Sequence, residues 1–218
     1  MSAFISTANS FQNILDKLRA FDFLGPVALR LYLAPIFIAA GLTKISGIEN
    51  FANWLGNPEW GLGLPAPTLL AYLAAYTELI GGIALLIGIA VRWFAIPLMI
   101  TMLVAIVSVH WDDGWFAIAP SDPATSTAKP IADYLGLESA KQSLDNSEEV
   151  GKRVSAAKSL LKKHGNYDWL SEKGNFVVLN NGIEFATTYF IMLLVLFFTG
   201  AGRFFSIDYW LHKAFRER

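Results

Sequence analysis

The apolar positions of this chain gather in four dense blocks, roughly Leu24 to Ile45, Pro67 to Ala90, Trp93 to His110 and Ile183 to Phe204. Each block approaches the ~20 residues an α-helix needs to cross a ~30 Å hydrocarbon core. The pattern therefore predicts an all-α integral membrane four-helix bundle. It divides the chain into an N-terminal segment 1–23, three spans within 24–110, an extracytoplasmic insertion 111–180, a fourth span within 181–204 and a tail 205–218. Inside the insertion, Ile131 to Leu144 and Ser147 to Lys163 read as short helices. The second has Ser147 as N-cap, Glu148 and Glu149 in its first turn and Gly165 beyond its end. Asn166 to Asn180, with Tyr167, Trp169 and Phe176, reads as a lid over the bundle mouth or as a docking site. Both tails have helical apolar faces: Phe11, Ile14, Leu15, Leu18 and Phe21 at one end, Ile207, Trp210, Leu211 and Ala214 at the other. Either face suits the membrane interface.

Composition sharpens this picture. Of 218 residues, 54% are hydrophobic and only 16% charged, with a mean hydropathy of +0.43; a soluble domain usually has about 25% charged residues. The formal net charge of −1 provides no basic field for a polyanion, so nucleic acid is not an expected partner. Without cysteine, the chain has no disulfide, thiolate metal site or dithiol chemistry of its own. Any redox work then falls to a bound cofactor or a partner.

Positive charge sets the expected orientation. Lys17 and Arg19 precede the first span, Arg92 lies in the turn between the second and third, and Arg203, Lys213, Arg216 and Arg218 follow the fourth. By the positive-inside rule both termini are cytoplasmic, and the first span serves as an uncleaved insertion signal. Trp54, Trp60, Trp111 and Trp115 then mark the outer boundary and Trp93 and Trp210 the inner one.

Five ionisable residues fall in or at the ends of the spans: Arg30, Lys44, Glu78, His110 and Glu184. An unpaired charge at mid-membrane costs about 2.5–3.5 kcal/mol on insertion scales, which makes these the candidate ligand-binding residues. Glu78 lies near the midplane, and Arg30 is expected to reach towards it. Lys44, His110 and Glu184 are expected to meet at the outer mouth. Each also has a plainer role: Arg30 and Lys44 as snorkelling cations, His110 as a hydrogen-bonded structural residue, Glu184 as a charge favouring its helix N-terminus. Ala71, Ala75, Glu78 and Gly82 share one helix face, open to a neighbouring helix or a flat ligand. Pro35 and Pro97 each follow an arginine by five residues, a spacing that chance accounts for. Met99, Met102 and His110 offer soft ligands for Cu(I), but methionines at this spacing are commonly packing residues, and no metal site is expected.

The runs "LRLYLAPIFIAAGLTKI", "GLPAPTLLAYLAAYTELIGGIALLIG" and "RWFAIPLMITMLVAIVSVH" resemble the DoxX family of small four-helix membrane proteins, through Arg30, Gly41, Lys44, Glu78, Gly81, Gly82 and His110. The run "NYDWLSEKGNFVVLNNGIEFATTYFIMLLVLFFTGAGRFFSIDYW" is similar to the HvfX-type branch, associated with copper-binding modified peptides. The resemblance implies a multi-pass protein of the bacterial inner membrane that assists redox or metal-stress metabolism, since some relatives are subunits of quinone-linked oxidoreductases.

Three readings follow. In the first, a quinone-like amphipathic molecule binds in a polar cavity, with Glu78 handling a proton or hydrogen bond, Arg30 as its counter-ion, and Lys44, His110 and Glu184 polarising the mouth. In the second, the bundle helps to transport a small solute or modified peptide. In the third, it anchors the outer insertion beside redox or peptide-maturation partners. The sequence leaves open whether the chain is catalytic and whether it forms a homo-oligomer; its expected surroundings are the lipid bilayer.

Overall fold

A computed structural model describes residues 2–216. Arg218, assigned above to the inner positive flank, lies outside the described residues, as does the side chain of Ile14. The chain is all-helical: α1 (Ser2–Leu18), α2 (Leu24–Ser46), α3 (Ile48–Gly56), α4 (Pro67–Ile87), α5 (Val91–Val104), α6 (Ala128–Leu135), α7 (Glu138–His164), α8 (Tyr167–Ser171), α9 (Glu184–Thr199) and α10 (Ile207–Phe215). A π-helical turn, Ala105–His110, continues α5. The chain forms two compact units, residues 1–109 with 186–218, and residues 110–185.

In the first unit the apolar blocks become long helices. Three, Leu24–Ser46, Pro67–Ile87 and Val91–Asp113, are long and apolar enough to cross a membrane. The fourth apolar block extends to Phe204, but its helix stops at Thr199, leaving 16 residues. Gly200 closes that helix with an N–H to Leu196 O, and the chain then unwinds. Leu31, Leu42, Leu73, Ile80, Ile83 and Ile100 project outward, as side chains in contact with lipid would.

The principal helix pair is α2 with α4, and small residues make it close. A Cβ added to Gly41 would lie 2.6 Å from Leu79 N, and one added to Gly82 would lie 2.8 Å from Ile38 N. Backbone thus touches backbone where a side chain would separate the helices, the means by which small residues hold helices together without a hydrophobic driving force. Leu33, Ala34, Phe37, Ala75 and Leu85 fill the buried seam. The Phe37 ring on α2 meets Tyr189 on α9, and Arg92 on α5 donates to Phe197 O at 2.8 Å. The short α3 packs Ala52 and Leu55 against Ala71 at the start of α4.

The second unit corrects the expected helix boundaries. α6 ends with the Gly136 N–H bonded to Ala132 O, and α7 then runs 27 residues without a break. Ser147, expected as an N-cap, lies in mid-helix, fully buried, with its hydroxyl donating to Ser143 O at 2.7 Å. A serine can satisfy itself this way on the preceding turn, so its presence did not mark a helix start. Gly136 was the stronger stop signal. The stretch after α8 folds back on the unit's own first segment, through Ala119 N–H to Val178 O and Asn180 N–H to Ala117 O.

The close approach of α2 and α4 gives a direct test. Gly82→Val should lower the thermal midpoint in detergent, with a cost of at least about 1–3 kcal/mol for overpacking. Gly25→Ala, where a methyl group meets nothing within 4 Å, should be neutral or stabilising by about 0.4–1 kcal/mol.

Candidate functional site

Glu78 sits in the middle of α4, and its side chain is 5% exposed. Its partner is Lys44, two residues before the end of α2, whose ammonium lies 2.5 Å from Glu78 Oε2. The Lys44 side chain is 28% exposed, and its ammonium lies 5.7 Å from the centroid of the Phe51 ring on α3. An ammonium over an aromatic face gains a further electrostatic attraction. Phe51 is itself stacked on Trp54. The site is thus a carboxylate and an ammonium joined across the α2–α4 seam and covered at one end by aromatic rings. Together they can donate to a carbonyl-type oxygen through Lys44 and accept from a hydroxyl through Glu78.

The expected contact between Arg30 and Glu78 does not form. Arg30 is 1% exposed, and its guanidinium is committed to backbone carbonyls. Nε donates to Leu85 O at 2.7 Å, and Nη2 to Leu86 O at 3.1 Å. Nη1 donates to Ala201 O at 2.6 Å and Phe205 O at 3.2 Å. The physical reason is position. Leu85 lies seven residues beyond Glu78, about 11 Å along the helix. There the final carbonyls of α4 lack intrahelical partners, and the negative end of the helix dipole attracts a cation. Arg30 therefore caps α4 and gathers the unwound chain after α9.

Two other residues complete this end of the unit. Asp208, on the first turn of α10, accepts from Ala90 N–H at 2.6 Å and Val91 N–H at 3.0 Å. It thereby supplies acceptors to the start of α5, where a carboxylate is favoured. Its own N–H donates to Gly88 O at 3.0 Å. Gly88 has φ +72, and a Cβ there would lie 2.5 Å from Arg30 Nη2; only glycine combines that backbone with that proximity. Asp208 stood in the sequence as an acid in a mostly basic tail, two residues after the Ser206 that caps α10 by accepting from Tyr209 N–H at 3.2 Å. That pairing was the available signal.

His110 and Glu184 belong to the second unit. His110 Nδ1 donates to Asn181 O at 2.6 Å, and Glu184 Oε2 accepts from Ala117 N–H at 3.0 Å. Each fastens the chain segments that open and close that unit. Asn180, not singled out from the sequence, does likewise by donating to Phe116 O at 2.9 Å. Among the described residues, no three His, Asp or Glu side chains gather as a metal centre would require.

The DoxX family model matches residues 25–111. The chain carries a DoxX domain. That stretch includes Arg30, Lys44, Glu78 and His110 and excludes Glu184. A relative from Bacillus subtilis named "Putative oxidoreductase CatD" is 34% identical over 86 residues. The alignment takes in 39% of this chain and 60% of that protein. No solved structure matches the chain.

The role of Arg30 in the DoxX domain can be measured. Arg30→Met leaves four carbonyls without their donor, at about 1–3 kcal/mol for each that stays buried. The thermal midpoint in detergent should fall sharply. Arg30→Lys should recover only part of the loss, because a compact ammonium cannot span the fork of acceptors a guanidinium reaches.

Proposed function

We propose that the chain is a multi-pass protein of the bacterial inner membrane, with four spans and both termini cytoplasmic, that serves redox or metal-stress metabolism by binding a small amphipathic molecule at Lys44 and Glu78. The observation that carries this reading is the ion pair itself, set between apolar helices with its carboxylate almost wholly enclosed. Replacing such a pair by apolar side chains is often neutral or stabilising, so its presence is poorly explained by stability alone. An ammonium donor beside a carboxylate acceptor suits a quinone-like head group: Lys44 offers protons to a ring oxygen, and Glu78 accepts from a ring hydroxyl. The bound molecule supplies the electron chemistry that a chain without cysteine lacks. The printed name of the Bacillus subtilis relative, an oxidoreductase, supports the redox assignment.

In this reading Arg30 is a positioning residue, holding α2 and α4 in the register that joins Lys44 to Glu78. His110 and Glu184 hold the insertion's own first and last segments together. The HvfX-type resemblance adds a partner class, a peptide-maturation system handling copper-binding modified peptides. The long, polar α7 supplies a water-facing surface for such a partner.

The test is extraction of the protein purified in native lipid, with the extract and intact complex analysed by mass spectrometry. Wild type should carry a flat, ultraviolet-absorbing molecule, and Glu78→Gln and Lys44→Met should each reduce its occupancy roughly tenfold, the factor expected for loss of one charge-assisted hydrogen bond. Equal emptiness of wild type and variants overturns the reading.

A further inference from the structure

The Lys44–Glu78 pair is enclosed very unequally along the helix axis. Towards Arg30, the α2–α4 seam is dry. Leu33, Ala34, Phe37 and Leu85 are buried there, and Gly82, one turn beyond Glu78, lies so close to Ile38 N that it could not carry a methyl group without displacement. A passage for water requires at least the volume of one probe sphere and polar partners along it, and this stretch offers neither. Beyond it Arg30 is consumed by four carbonyls, while Asp208 latches α10 onto the turn between α4 and α5. Among the described residues no buried side-chain nitrogen or oxygen lacks a hydrogen-bond partner. The buried interior of this end therefore has no idle donor or acceptor, and the groove of about 520 Å³ lined by Asp22, Arg203, Asp208 and Tyr209 lies on its outer face.

The other end differs. The Lys44 side chain retains partial exposure, and what lies over its ammonium is Phe51, a single ring on a nine-residue helix. α3 also borders an open groove of about 700 Å³ lined by Asn50, Asn53, Asn57, Trp60 and Thr68. Its amides, indole and hydroxyl can hold a polar head group at the α3 end.

We propose that the pair is a one-sided site: small molecules reach Lys44 and Glu78 only from the α3 end, past Phe51, and the Arg30 clamp is its closed floor. The ligand class is a molecule with a hydrogen-bond acceptor for Lys44 and a flat apolar body that can lie against Phe51 and Trp54. The inference rests on the assignment of Lys44 and Glu78 as the binding site and adds its direction of access. It also gives the bundle the character of a receptor for its ligand, because a conduit would need an opening past Arg30.

The absence of interfering cysteine chemistry and the small number of lysines in this unit permit a test on the unaltered chain. Wild-type protein is sealed into vesicles of either orientation and treated with sulfosuccinimidyl acetate, an amine reagent that does not cross the bilayer, and acetylation is located by peptide mass spectrometry. Lys213 on α10 reports the clamp side. Lys44 should be acetylated in vesicles where Lys213 is protected, and roughly tenfold less in vesicles where Lys213 reacts. Phe51→Ala should raise the rate at Lys44 from the α3 side roughly tenfold, the effect of removing a cation–π cover. Acetylation of Lys44 and Lys213 from the same side overturns the proposal. So does failure of Lys44 to react from either side in both wild type and Phe51→Ala. Sided labelling of a protein that carries no bound molecule would preserve the direction of access while removing the ligand reading; a ligand-bearing protein labelled from the clamp side would do the reverse.

Discussion

A charge enclosed between apolar helices must find a partner of opposite charge or a set of hydrogen-bonding groups, and this requirement governs the architecture of the unit containing α2 and α4. The two solutions are different in kind. Glu78 meets Lys44, charge against charge, across the seam. Among the described residues Arg30 meets no carboxylate within ion-pair distance and instead saturates itself on the carbonyls left over where α4 ends and where the chain unwinds after α9. Both depend on the helices approaching closely, which Gly41 and Gly82 permit. Widening the seam would leave the ammonium short of its carboxylate and the guanidinium short of its carbonyls.

The difference between those solutions gives the unit its polarity. Arg30 is bound by fixed backbone dipoles, at the end where Asp208 and Gly88 lock α10 to the turn between α4 and α5. Nothing there can be exchanged without unmaking a helix terminus. Lys44 is bound by a side chain, under a ring carried on a short helix. A side-chain pair can admit a third polar group between its members at the loss of one contact, whereas a capped helix end cannot. The same pair of helices thus carries a structural anchor and the pair proposed as an exchangeable site.

Much of this was legible in the sequence because hydrophobic periodicity and length speak directly to membrane helices. α2 and α4 begin where their apolar blocks begin, at Leu24 and Pro67. Arg30, Lys44 and Glu78 stood out because charge is rare in such blocks. Their pairing was not legible, since it depends on helix register, and the expected Arg30–Glu78 contact gave way to Lys44–Glu78. The end of α9 was hidden for a related reason. The apolar run continues to Phe204, but the carbonyls of Ala201 and Phe205 serve Arg30 and so leave the helical path. In the second unit, Ser147 misled because a buried serine can bond to its own preceding turn. His110 and Glu184 hold backbone groups within that unit, contacts that hydrophobic patterning does not reveal.

Residues 25–111, the stretch the DoxX model matches, contain both the pair proposed to bind a ligand and Arg30, the centre of the clamp, and the proposed site depends on the mutual dependence of Lys44 and Glu78. A double-mutant cycle with Lys44→Met, Glu78→Gln and the two combined, read by unfolding in detergent, measures that dependence directly. A coupled pair predicts that each single change costs about 3–5 kcal/mol by stranding its partner, and that the double variant loses no more than either single one. Losses that simply add would contradict the pairing on which the site is built.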